Sequence, residues 1–358
     1  MEVGGRLLVD SASFTVMPRD KVGIVGRNGA GKTSLFKVLG GANEPKAGKV
    51  LRKGGFGYLP QDPKIDSALD GRSCVTHVLS GRGIDDEITR IEKLRISMEE
   101  NPDERNVTRY TAAEEAFRTN GGYAAESEAR AMAAGLGIPD ERLDQPISTL
   151  SGGERRRVEL ARILFAGSDV LCLDEPTNHL DVDAKAWLLG FLRQYKGALL
   201  VISHDLELLD ESITRVLHLD RATETDVGEI FEYRGTYSQY QRARADDEAR
   251  LAKKAVLQAK EIDRLQTVVD RFGATATTAA MAHSVEKRIA RLETQRVRGP
   301  QGAKTMTVRF PDPPKCGETV IRASGMCKAY GGPTIFEDID FDLGRGERLL
   351  VLGLNGAG

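Results

Sequence analysis

The 358-residue chain contains no window approaching the ~18 consecutive apolar residues that a membrane-spanning helix requires, so none of it is expected to cross a bilayer. Its first ten residues lack the succession of basic, apolar and small-residue regions that marks a secretory signal. Four cysteines, Cys74, Cys172, Cys316 and Cys327, are scattered without a C-x-x-C spacing, which argues against a zinc site and a disulfide framework. A cytoplasmic, reducing setting fits these absences. Nor is there a large net charge, since 51 Lys+Arg stand against 53 Asp+Glu. What is present is 40% hydrophobic residues, enough to bury a sizeable core in a chain too long for one ordinary domain.

The chain repeats itself. Displaced by 327 positions, residues 7–31 align with 334–358. Gly26-Arg27-Asn28-Gly29-Ala30-Gly31 then falls on Gly353-Leu354-Asn355-Gly356-Ala357-Gly358, and Phe14 on Phe341. The second copy carries a leading strand over 321–330, whereas the first has only Met1 and Glu2 ahead of Val3, the partner of Tyr330. Both ends read as trimmed, with a second domain that starts near residue 318 and stops inside its glycine loop.

Residues 21–25 form a short apolar, β-branched run of the kind found in buried parallel strands. Gly26-Arg27-Asn28-Gly29-Ala30-Gly31-Lys32-Thr33 follows it, the G-x-x-x-x-G-K-[ST] phosphate loop, and Ser34 opens a helical stretch. Glycines let backbone N–H groups close around phosphate oxygens without Cβ clashes, and the following helix points its positive end at the same oxygens. Lys32 is placed to reach the β- and γ-phosphates, and the Thr33 hydroxyl to hold Mg²⁺. A second apolar strand, residues 169–173, ends in Asp174 and Glu175. In a doubly wound sheet the ligand crevice lies outside the carboxyl ends of the strands, so this pair is expected beside the phosphate loop. Asp174 then serves Mg²⁺ and Glu175 the attacking water, as general base.

Leu150-Ser151-Gly152-Gly153-Glu154-Arg155-Arg156-Arg157 resembles the signature sequence of ATP-binding cassette (ABC) ATPases. Further matches follow in that family's order: Gln61 is similar to the Q-loop glutamine, Asn178-His179-Leu180-Asp181 to the D-loop, and His204, after Val201-Ile202-Ser203, to the switch histidine. The resemblance implies that Gln61 joins Thr33 and Asp174 on the metal and that His204 senses the γ-phosphate. It also implies that Ser151, Gly152 and Gly153 contact the nucleotide held by an opposing domain, where small residues at a helix N-terminus suit an anion. The family commonly stacks adenine on an aromatic residue. Tyr330 stands at that position in the second copy, and Val3 in the first.

Two stretches go beyond a minimal cassette. Ninety positions separate Gln61 from Ser151, and the surplus, residues 85–118, is charged and helix-favouring around an Asn101-Pro102-Asp103 turn, so it reads as a projecting helical hairpin. Between the two cassette copies, residues 241–300 hold 13 Lys+Arg against 8 Asp+Glu. Leu251, Ala255, Gln258, Ile262, Leu265, Val269 and Phe272 make a heptad seam with one polar member. It breaks over 273–278 and resumes at Val285, Ile289 and Leu292, as two helices folding back on each other require. A basic coat of this kind suits phosphate-rich RNA.

Tandem cassettes, an arm inside the first and a basic linker containing Asp270-Arg271-Phe272-Gly273-Ala274-Thr275-Ala276-Thr277 resemble the ABC-F proteins. The resemblance implies a P-loop NTPase fold of α/β class: a first domain over 1–240 with a helical subdomain and arm over about 62–150, an antiparallel helical hairpin over 241–317, and the start of a second domain over 318–358. It implies a cytoplasmic ATPase that converts ATP and water to ADP and phosphate with Lys32, Gln61, Glu175 and His204. Its expected partners are the ribosome and tRNA, met through residues 241–300, and a second cassette or a self-associated copy that completes the ATP sites. Translation, including relief of antibiotic-blocked ribosomes, is the expected setting. A transporter's ATP-binding subunit and a DNA-associated cassette ATPase are the alternatives.

Overall fold

The computed structural model describes residues 12–63, 71–221, 227–272, 279–295, 317–329 and 334–351, with 2–3, 6–7, 9, 308–309, 311 and 353. It divides into two units, residues 1–232 with 310–358, and residues 233–309.

In the first unit β1 (Glu2–Val3) and β2 (Arg6–Leu7) form a short antiparallel pair. The body of the unit is a six-stranded sheet. Its members in chain order are β3 (Lys21–Gly26), β4 (Phe56–Leu59), β5 (Val170–Asp174), β6 (Ala198–Ile202), β7 (Arg215–Asp220) and β8 (Glu229–Arg234). They lie in the order β4-β5-β6-β3-β7-β8, and the four ladders from β4 to β7 are parallel. Strands covered on both faces need nearly continuous apolar sequence; β6, Ala-Leu-Leu-Val-Ile, is buried at every position, and β5 from Leu171 onward. The core cluster draws Val22, Ile24, Cys172, Leu200, Ile202 and Leu217 from four strands and packs them on Leu35 and Phe36 of α1 (Lys32–Leu39). The parallel ladders bring the carboxyl ends of β3, β4, β5 and β6 to one edge, which is where a doubly wound sheet opens its crevice.

The helical subdomain comprises α2 (Cys74–Leu79), α3 (Ile84–Glu100), α4 (Glu104–Thr119), α5 (Gly122–Gly135), α6 (Asp140–Leu143) and α7 (Gly152–Phe165). α3 and α4 pack on each other as the arm. Between them residues 101–103 turn the chain, and the Asp103 carboxylate accepts from the Asn106 N–H at 2.7 Å to cap α4. The arm buries little: Ile84 at its root is covered, while Ile88 and Ile96 are each 43% exposed. α8 (Val182–Gln194) and α9 (Leu206–Ser212) return the chain to β6 and β7.

Two helices make most of the described part of the second unit, α10 (Tyr237–Phe272) and α11 (Ala279–Thr294). Leu265 and Ile289 are its most buried seam residues, and Ala255, Ile262, Val269, Val285 and Leu292 are half-buried. Leu251, placed in the same seam by its spacing, is 39% exposed. The physical reason is length: Gln258 already meets the last turn of α11, so Leu251 lies beyond the partner helix. Further on, β9 (Thr319–Ala329) and β10 (Thr334–Gly344) pair antiparallel. Among the described residues no helix is long and apolar enough to cross a membrane.

Candidate functional site

At the carboxyl edge of the sheet lies a cleft of about 670 Å³ lined by residues of the phosphate loop, by Gln61, by Asp174 and Glu175, and by His204. The phosphate loop contributes Arg27, Asn28, Gly29, Gly31, Lys32, Thr33 and Ser34. Gly29 and Gly31 take φ values of 77° and 104°, in the left-handed region that glycine occupies without strain. Gly26 and Ala30 are not among the lining residues. A Cβ on Gly26 would come within 2.6 Å of the Leu219 carbonyl oxygen, so this glycine serves the close passage of β3 and β7. Ala30, 3% exposed, packs with Val9 and Leu219 behind the loop. The Lys32 ammonium folds back over the loop, donating to the Gly26 carbonyl at 2.8 Å and the Arg27 carbonyl at 3.3 Å. Burial lowers its pKa, while Glu175 and Asp174 pull it upward.

Asp174 and Glu175 leave β5 into the same cleft. Glu175 sits at φ 51°, an uncommon place for a residue with a side chain, which costs on the order of 1–3 kcal/mol. Its backbone N–H donates to the Ile202 carbonyl at 2.8 Å, joining the turn to the end of β6. From that side the His204 N–H donates to Glu175 Oε2 at 3.1 Å, and His204 Nε2 stands 3.5 Å from Oε1. The histidine ring is otherwise open, 68% exposed. Burial pushes the Glu175 carboxyl above the ordinary range, helped by the neighbouring Asp174 carboxylate and opposed by the His204 N–H and ring and by Lys32.

Asp174 is 1% exposed, and burial raises its pKa too, opposed by the Thr33 hydroxyl, Arg156, Lys32 and Lys37. Its Oδ2 has no hydrogen-bond partner. A buried carboxylate oxygen without a partner is expensive unless something completes it. The donors at hand are all oxygens: the Asp174 carboxylate, the Thr33 hydroxyl bonded to it, and the Gln61 side-chain amide in the same cleft. That set fits a hard cation taking one carboxylate and the rest from hydroxyl, water and phosphate, as Mg²⁺ does. No cluster of three or more His, Cys, Asp or Glu suited to a metal occurs among the described residues, and an ion of that coordination habit needs none.

Ser151, Gly152 and Gly153 are not among the lining residues of this cleft. They begin α7, where a capping box forms: Ser151 Oγ accepts from the Glu154 N–H at 3.3 Å and the Ser151 N–H donates to Glu154 Oε2 at 2.9 Å. No atom lies within 4 Å of a Cβ added to Gly152, so the first turn presents an open face. Gly153 packs instead beneath His179, whose Cβ would lie 3.5 Å from an added Cβ. Tyr330, the residues after Gly353 and the Val3 side chain lie outside the described residues.

Two arginines at the site carry no signal by which sequence reasoning could single them out. Arg221 follows β7, is 7% exposed, lines the cleft and donates to the Gly29 carbonyl at 3.1 Å. Arg156 is one of three consecutive arginines, and only the fold separates them. Arg155 donates back to the Leu150 carbonyl at 2.9 Å and Arg157 to the Gly137 carbonyl at 2.8 Å, while Arg156 turns to the strand ends.

Known proteins share this arrangement of segments. A family model described as ABC transporter matches residues 9–178, and a second of the same description matches residues 223–310. The probable ATP-binding protein YheS of Escherichia coli K12 is 33% identical over 361 residues, 99% of this chain and 53% of that protein. The putative ATP-binding protein YdiF of Bacillus subtilis is 31% identical over 99% of this chain and 55% of its own length. The energy-dependent translational throttle protein EttA of Haemophilus influenzae is 31% identical over 99% of this chain and 62% of its own. The chain thus spans about half the length of the curated relatives it matches. With the signature at the head of α7, the arm between α2 and α5 and the helical hairpin after the cassette, the chain belongs to the ATP-binding cassette family, in its ABC-F branch.

Proposed function

We propose that the chain binds and hydrolyses ATP as a cassette of an ABC-F protein that works on the ribosome. The observation that carries the first half is the convergence of Lys32, from the phosphate loop, with Asp174 and Glu175, from the end of β5, on one cleft. Phosphoryl transfer asks a protein mainly for positioning and charge stabilisation, and this cleft supplies both. Gly29, Gly31 and the N-terminus of α1 receive the phosphates. Lys32 exchanges its loop carbonyls for β- and γ-phosphate oxygens. Glu175, held by the His204 N–H, orients a water in line with the γ-phosphorus and takes its proton as the bond to the bridging oxygen breaks. Thr33, Asp174 and Gln61 would hold Mg²⁺, which would supply charge neutralisation to the phosphates. His204, open to the cleft and beside Glu175, meets the γ-phosphate. Ser151, Gly152 and Gly153 serve the nucleotide of a second cassette or of another copy.

The ribosomal half rests on the charge of residues 241–300, 13 Lys+Arg against 8 Asp+Glu, and on likeness to a relative whose name is a translational throttle. A basic helical hairpin fits a phosphate backbone, with the ribosome and its tRNA as the expected surface. Protection from antibiotics is a narrower form of the same reading. Cosedimentation decides among partners. With a non-hydrolysable ATP analogue, the chain should pellet with ribosomes and stay behind with membrane vesicles or duplex DNA. Pelleting with vesicles would instead favour a transporter subunit, and binding to duplex DNA a chromosome-associated ATPase. In the same preparation Glu175→Gln should keep nucleotide affinity and lose about 10²–10⁴-fold in turnover, the range for a general base.

A further inference from the structure

We propose that Arg156 is a positioning residue that fastens the signature helix to the two strand exits bearing Gln61 and Glu175, so that movement of α7 reaches both. The parallel ladder of β4 and β5 runs from Phe56↔Val170 to Leu59↔Leu173 and ends there. Immediately beyond it lie four carbonyls, those of Pro60 and Gln61 on one strand exit and of Asp174 and Glu175 on the other. All four accept from one guanidinium. Arg156 Nη2 donates to the Asp174 carbonyl at 2.8 Å and the Glu175 carbonyl at 2.9 Å, and Nη1 donates to the Pro60 carbonyl at 3.2 Å and to that of Gln61. The side chain is 5% exposed. In effect the planar fork supplies the next rungs of the ladder after the backbone has stopped providing them.

The anchor matters as much as the grip. Arg156 lies in the second turn of α7, whose first turn carries Ser151, Gly152 and Gly153 on the open face described above. Gln61 and Glu175 both line the nucleotide cleft, so their separation depends on a residue rooted in the helix that would meet the opposing nucleotide. Near-attack geometry is sensitive at the scale of 1 Å, and a lysine cannot reproduce the fork. Its ammonium has three donors for four carbonyls and no fixed plane.

This inference rests on the reading of Glu175 as the base, so the experiment includes a control for that reading. In the whole chain, Arg156→Met, Arg156→Lys and Glu175→Gln are compared for kcat, for KM and for affinity toward a fluorescent ATP analogue. Arg156→Met should lower kcat by about tenfold or more, with nucleotide affinity and KM within about twofold of wild type. Arg156→Lys should recover part of the loss. Wild-type kcat in both variants, or a fall in affinity that matches the fall in kcat, overturns the proposal. Should Arg156→Met fail to fold, Arg156→Lys decides alone: lowered kcat with retained affinity supports the role, and wild-type kcat overturns it. If Glu175→Gln turns over at the wild-type rate while nucleotide still binds, the site reading falls and the Arg156 proposal with it.

Discussion

At the scale of single residues, Asp174 shows how the site trades stability for chemistry. Its carboxyl is buried, one oxygen lacks a partner, and burial outweighs the favourable pull of Thr33, Arg156, Lys32 and Lys37, so its folded pKa lies above the ordinary carboxylate value. A group that holds its proton more tightly when folded makes the folded state gain stability as pH falls toward its unfolded pKa. That contribution is gone once pH has risen through the folded value. Above the folded pKa the nucleotide-free protein therefore carries the net cost of a buried charge that its neighbours only partly offset. Asp174→Asn keeps the shape and can still accept from the Thr33 hydroxyl. Its melting temperature should exceed that of wild type at pH 7.5 without nucleotide, and the gap should narrow as pH is lowered toward the carboxylate range. In the presence of Mg²⁺ and ATP the order should reverse, because only the carboxylate gains a cation. A variant less stable than wild type at pH 7.5 would mean that the neighbouring cations already outweigh the burial of the charge.

Among the elements, the hairpin of α10 and α11 explains a residue that its spacing alone leaves odd. Gln258 is the polar interruption of an otherwise apolar seam, and its Nε2 donates to the Leu292 carbonyl at 2.9 Å and the Gln295 carbonyl at 3.0 Å. The last turn of any helix has carbonyls without intrahelical partners, and here the facing helix supplies the donor. Gln258→Ala should fray the end of α11 by about 1 kcal/mol, raising hydrogen exchange at the amides of residues 291–294 several-fold while those around Leu265 stay protected. Unchanged exchange at that end would show the contact to be incidental. Elements of this kind mark the limit of what the sequence discloses. The phosphate loop, the Asp174-Glu175 pair and the turn at residues 101–103 are legible because each depends on a few adjacent residues of special chemistry. The polar role of Gln258, the exposure of Leu251 and the four-carbonyl grip of Arg156 are not, because each depends on a segment tens of residues away. The burial of Ala30 behind its loop likewise required the packing of Val9 and Leu219 to be known. Periodicity reports which face of a helix is apolar; it does not report where the partner helix ends.

On the scale of the whole molecule, the cleft and the signature pose a problem that one copy cannot solve. Ser151, Gly152 and Gly153 are not among the lining residues of the cleft that holds Lys32 and Glu175, yet the open first turn of α7 has the small residues and the helix N-terminus that favour an anion. If each signature completes a neighbour's site, two copies facing each other share two nucleotides, as a two-fold arrangement of identical surfaces requires. Two differently damaged chains should then restore each other. Ser151→Asp retains a good helix cap but sets a negative charge against the neighbour's γ-phosphate, so the signature fails while the cleft stays whole. Glu175→Gln spoils the cleft and leaves the signature intact. Each variant alone should be nearly inactive. An equimolar mixture forms mixed pairs with one sound site in two, so its rate should recover to about a quarter of wild type when half the pairs are mixed. Recovery should increase with total protein concentration, because pairing is bimolecular. A mixture no more active than its components, at concentrations where the wild-type rate per chain has stopped rising, would mean that each chain completes its own site and that the open face of α7 serves another purpose.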